Sequence, residues 1–151
     1  MQTFLPYASF ERTARSLDRS RLGKQRVEAL QVLRALTVPG YGWRHHPAVA
    51  MWRGHHEALA SYGIAICREW TRRGYADTCA EKIVTESGVV PRSQQELRRA
   101  GALPRWIGNR ALHRSHQSSL LRKDPAHYLP IFGDVPDDLD YVWPGESAAA
   151  G

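Results

Sequence analysis

The stretch DRSRLGKQRVEALQVLRALT, residues 18–37, decides the reading of this chain. Leu22, Ala29, Leu30, Leu33 and Leu36 recur at helical spacing behind Asp18, which has the chemistry of an N-cap. The pattern stops at TVPGYG, where Pro39, Gly40 and Gly42 cannot continue it. The spacing predicts a helix over 18–37. Its polar face collects Arg21, Lys24, Gln25, Glu28 and Gln31, because positions i, i+3, i+4, i+7 and i+10 lie together. Glu28 is the sole acid between Asp18 and Glu57, and Arg19, Arg21, Lys24, Arg26, Arg34, Arg44 and Arg53 surround it in sequence.

Outward from this helix, HHPAVAMWRGHHEALASYGIAICREWTRRGY places Val49, Trp52, Leu59, Tyr62, Ile66 and Trp70 on one stripe and predicts a long central helix. Gly54 and Gly63 within it mark close packing or a kink. DTCAEKIVTESG and SQQELRRAG read as shorter helical pieces, and NRALHRSHQSSLLRKDP as a further helix ended by Pro125. In that helix Ser115, Ser118 and Ser119 suggest a backbone packed closely on a neighbour. The first sixteen residues, with Pro6 and irregular patterning, predict an extended arm. Strand signals are nearly absent. The expected fold is all-α, a compact helical bundle of three main helices with an extended N-terminal arm and an aromatic, Pro-rich C-terminal segment. One domain is expected over 1–145, with 146–151 a disordered tail.

Charge narrows the function. All 21 Lys and Arg fall within residues 1–123 against 9 Asp and Glu, a net +12, while six acids follow Lys123. Such an excess attracts polyanions, of which nucleic acid is the commonest inside cells. No apolar run approaches membrane length and no secretory leader opens the chain, so a cytoplasmic protein with no membrane partner is expected. Cys67 and Cys79 read as free, buried thiols.

Glu28 is the candidate for chemistry. A carboxylate repels phosphate, so its presence on a DNA-facing surface is compensated if it acts on a sugar or base. The alternative is an ordinary i,i+4 ion pair with Lys24 on a solvated face. The candidate DNA contacts are Arg21, Lys24, Gln25, Arg26, Arg44, His45, His46, His113, Arg114, His116, Gln117 and Arg122. The histidine pairs lack a carboxylate or cysteine at ligand spacing, so no metal site and no cofactor are expected. Trp43, beside Gly42 and Arg44 in a loop, is a candidate for stacking or wedging against bases.

LDRSRLGKQRVEAL, HPAVAMWRGHHEALASYGIAICREWTRRGYADT and HRSHQSSLLRKDPAHYLPIFG together resemble the pyrimidine-dimer DNA glycosylase family, the phage endonuclease V type, and more closely its bacterial relatives. The resemblance spans most of residues 1–133. It implies an all-α fold whose N-terminal arm threads between helices and brings the α-amine near the first-helix glutamate. It further implies that the amine attacks C1′ of a damaged nucleotide, that an imine forms and that β-elimination cuts the strand. Glu28 falls on the family's catalytic glutamate. The family exposes its nucleophile by removing the initiator Met before a small residue, whereas residue 2 here is Gln, which keeps Met1 and makes the Met1 amine the candidate. Water activated by Glu28 and the amine of Lys24 are the alternatives. The expectation is a monomeric DNA-repair glycosylase, with AP-lyase activity if the amine attacks, acting on duplex DNA with a damaged base. A nucleic-acid-binding module without chemistry, and an enzyme on RNA or free modified nucleotides, are the competing readings.

Overall fold

The computed structural model describes residues 1–145; the tail expected over 146–151 lies outside the described residues. Eight helices follow an extended arm: α1 Phe10–Ser16, α2 Arg19–Thr37, α3 Pro47–Ala50, α4 His56–Arg72, α5 Cys79–Ser87, α6 Gln94–Arg99, α7 Arg110–Lys123 and α8 Pro125–Phe132. No strand occurs among the described residues. The all-α expectation holds, but the bundle of three main helices does not: the described residues form eight distinct helices.

Two local signals account for the difference. The expected central helix is broken because Gly54 adopts a left-handed backbone, φ +81°, between α3 and α4. Val49, Trp52 and Leu59 are buried on both sides of the break, so the apolar stripe runs through it without revealing it. The first helix was also hidden within the arm. Ser9 accepts a hydrogen bond from the Arg12 amide and starts α1, whose Phe10, Thr13 and Ala14 are buried.

α2 begins and ends as its sequence dictates. The Asp18 carboxylate accepts from the Arg21 amide at 3.4 Å and receives the Tyr128 hydroxyl from α8, tying the two helices. α2, α4 and α5 pack mutually, α1 packs on α4, and α8 on α7. The close approach of α4 to α2 and α5 depends on Gly63. A Cβ there would lie 2.7 Å from Ile83 Cδ1 and 3.2 Å from Ala29 Cβ. The Gly63→Ala variant is expected to lose about 1 kcal/mol despite its better helix propensity, because the overpacking cost of ~1–3 kcal/mol exceeds the ~1 kcal/mol propensity gain. Urea unfolding of the two proteins measures this; equal midpoints would mean that Ile83 turns aside freely.

α7 joins the rest through extended segments on either side. The arm runs along one flank, and the C-terminal segment is held on the other by serine hydroxyls. Ser118 Oγ accepts from the Leu139 amide at 3.0 Å, Ser115 Oγ from the Val142 amide at 3.1 Å, and Ser119 Oγ lies 2.7 Å from the Tyr141 hydroxyl. The three serines thus contact an extended segment of chain, which is why their helix needs so little apolar surface.

Candidate active site

Residues 2–6 are buried and extended, yet no neighbouring strand is present to satisfy their backbone. Buried amides and carbonyls left unpaired cost roughly 1–3 kcal/mol each, so side chains must take the place of a sheet. Gln25 of α2 does most of this from one side. Its Oε1 accepts from the Phe4 amide at 3.0 Å, and its Nε2 donates to the Gln2 carbonyl at 2.9 Å and to Glu28 Oε2 at 2.8 Å. The Tyr62 hydroxyl of α4 lies 2.7 Å from the Phe4 carbonyl and 2.8 Å from Gln25 Oε1, with one proton to serve both. Burial and the nearby Glu28 charge push the Tyr62 phenol well up from its ordinary value, so it stays a donor. Trp52 Nε1 donates to Thr3 Oγ1 at 3.0 Å.

α7 closes the other side. The Leu5 amide donates to His116 Nδ1 at 2.9 Å, the Leu5 carbonyl lies 2.8 Å from His113 Nδ1, and Gln117 Nε2 donates to the Pro6 carbonyl at 2.8 Å. The Gly108 amide donates to His113 Nε2 at 2.9 Å, which leaves the proton on Nδ1 and makes that atom the donor to Leu5. His116 is the opposite tautomer, with its Nε2 buried and unpartnered. Burial, with the neighbouring His113 adding to it, pushes the His116 imidazole down to about 3. His113 is lowered by burial as well, against the opposing effect of its Leu5 contact.

This clamp aims the arm at Glu28. The carboxylate, on a residue only 8% exposed, accepts from Gln25 and faces the Gln2 backbone nitrogen at 3.4 Å. Lys24 Nζ lies 3.7 Å from its other oxygen, but that side chain is 73% exposed and the pair is weak. One residue spans at most ~3.6 Å, so the Met1 amine lies within roughly 7 Å of Glu28. His46, the N-cap of α3, is exposed to the charge of both groups. Burial lowers its imidazole from the ordinary value and the N-terminal charge lowers it further, while Glu28 acts in the opposite direction. Its Nδ1 accepts from the Ala48 amide at 3.0 Å and caps α3.

The expected site residues therefore separate. Glu28, Gln25, Lys24 and the arm are brought together. His113, His116 and Gln117 are engaged in holding the arm, and His113 and Gln117 also line a cleft of about 360 Å³ beside Arg114 and Arg110. Arg21 is paired with Asp18 at 3.2 Å. Arg26 is paired with Asp77 at 2.6 Å and lies over the Trp70 ring, on another side of α2. Arg122 donates to Ser118 Oγ and to the Asp137 and Leu139 carbonyls, fastening the C-terminal segment. Arg44 and His45 are exposed in the loop before α3. Tyr62, Thr3 and Trp52 were not singled out as site residues. Nothing in an apolar stripe distinguishes the tyrosine or tryptophan whose polar atom meets a buried arm.

In this all-α fold the clamped arm brings the Gln2 backbone nitrogen against the buried Glu28 carboxylate. The family model for pyrimidine dimer DNA glycosylase matches residues 1–82, and the chain belongs to that family. The match takes in the arm, α1 to α4 and the start of α5, and stops before the α7 residues that complete the clamp. No curated protein and no solved structure matches the chain. No helix among the described residues is long and apolar enough to cross a membrane.

Proposed function

We propose that this protein is a DNA glycosylase that removes a damaged base from duplex DNA through its N-terminal amine, with Glu28 as the acid–base group. The observation that carries this reading is the 3.4 Å approach of the residue-2 nitrogen to Glu28 Oε2 at the end of a clamped arm. With Met1 retained, that nitrogen is an amide and the nucleophile is the Met1 amine one residue beyond. With Met1 removed, the same nitrogen would itself be the free amine. In either form the amine attacks C1′ of a nucleotide turned out of the stack, the C1′–base bond breaks and the base leaves with a proton. The sugar ring then opens: the C1′–O4′ bond breaks, O4′ takes a proton from Glu28, and the C1′–N bond becomes an iminium that the adjacent carboxylate stabilises, the same carboxylate accepting the protons shed by the amine and by C2′. Elimination of the 3′ phosphate from the imine gives lyase activity. The basic excess of residues 1–123 supports a polyanionic substrate. The family description supports pyrimidine dimers as the lesion class.

Borohydride trapping tests this directly. The purified protein is incubated with duplexes carrying a pyrimidine dimer or an abasic site, reduced, and mapped by peptide mass. A secondary amine joining DNA to the N-terminal residue is the expected product. Base release without an adduct would transfer the attack to water, and an adduct on Lys24 would move the nucleophile to α2. Neither adduct nor release on either duplex would remove the reading.

A further inference from the structure

Trp43 is held in a conformation that its side chain opposes. It has φ +73° and is the one non-glycine residue with a positive φ among the described residues. Its indole is 58% exposed, whereas the other four tryptophans are buried or partly buried. A bulky residue in the left-handed region is strained, and an exposed indole forgoes the stabilisation of burial. Glycine at this position would remove both penalties.

The loop is nonetheless firmly built. The Trp43 carbonyl accepts from the His46 amide at 2.8 Å, and Arg53 donates to the Arg44 carbonyl at 2.7 Å. The His46 ring meets the edge of Trp43 at 5.9 Å on one side and Trp143 at 6.3 Å on the other. The loop also has a fixed relation to the arm. α3, which follows it, is four residues and about 6 Å long, and the turn after α3 carries Trp52, bonded to Thr3. An exposed, anchored indole thus stands one short helix from the site, flanked by the exposed cations Arg44 and His45, on a basic protein.

Building on the glycosylase reading, we propose that Trp43 is a base-stacking wedge, entering the duplex beside the displaced nucleotide and supported by His46 and Trp143. Every base offers a π-face, so the contact does not depend on sequence, and the neighbouring cations serve the flanking phosphates. Trp43 then favours DNA whose stack is already interrupted.

The test compares binding of the wild type, Trp43→Phe and Trp43→Ala to two duplexes that differ only by a tetrahydrofuran abasic site. Stacking of one base on an aromatic ring predicts a loss of roughly 5- to 150-fold in the affinity of Trp43→Ala for the abasic duplex, a much smaller loss on the intact one, and retention of most affinity by Trp43→Phe. Equal thermal stability of the three proteins excludes a folding defect. Trp43→Ala binding the abasic duplex within twofold of wild type, or losing equally on both duplexes, would overturn the wedge and leave the glycosylase reading standing. A wild type that does not distinguish the two duplexes would overturn both.

Discussion

Glu28→Gln is expected to lower single-turnover base release from a lesion duplex by about 10²- to 10⁴-fold, the range over which a positioned acid–base group contributes. The substitution is nearly isosteric. The glutamine oxygen still accepts from Gln25 Nε2 of α2 and still faces the residue-2 nitrogen, so the side chain keeps its contacts with α2 and with the arm. What disappears is the negative charge that would stabilise an iminium and take up its protons. The charge also repels phosphate, so DNA affinity should stay the same or rise. A protein that loses turnover while holding DNA as tightly as before is the signature of a group acting on the reacting atoms. A binding module whose Glu28 only pairs with Lys24 would show tighter DNA and no turnover to lose. Undiminished release in the variant would mean that Glu28 only orients the arm.

The sequence made part of this site readable. α2 was visible because Asp18, the leucine stripe and the Pro-Gly stop all agree, and Glu28 stood out because a lone acid among cations is improbable without a role. Hidden from view was the fact that a backbone segment would be buried without a sheet. Once residues 2–6 enter the interior their backbone polar groups require partners, and polar residues of α2, α4 and α7, with Gln2 of the arm itself, supply most of them. Gln25, His113, His116 and Gln117 look in sequence like members of a solvated or DNA-facing surface. Residue type and helical spacing cannot separate a polar side chain that meets phosphate from one that meets a buried strand of its own chain. The same ambiguity concealed the C-terminal segment, whose amides turn to Ser115 and Ser118. The break at Gly54 escaped for a different reason. Helical periodicity registers which residues are buried and is blind to a turn that keeps them buried.

That clamp has a consequence at acid pH. In the unfolded chain His116 takes up a proton near 6.5, while in the fold it resists protonation down to about 3. The unfolded state therefore binds more protons between these values, and stability that is fully present above pH 6.5 is lost as the pH falls. His113 and His46 are lowered in the same direction and add to the loss. Carboxylates held below their ordinary values, among them Asp77 and Glu69, contribute only at lower pH, since they start from 3.8 and 4.5. From pH 6.5 to 5 the histidines dominate, and His116 alone accounts for about 2 kcal/mol at ~1.4 kcal/mol per pH unit. Urea unfolding at pH 7 and pH 5 should show this fall in the wild type. His116→Gln, which can still accept from the Leu5 amide, should be less stable at pH 7 but lose distinctly less on acidification. An equal fall in both proteins would place the proton uptake elsewhere. Because His116 pairs with Leu5, three residues beyond the nitrogen that faces Glu28, its protonation frees the arm from α7. Release of the arm withdraws the N-terminus from Glu28, so His116→Gln should shift the acid limb of the rate profile.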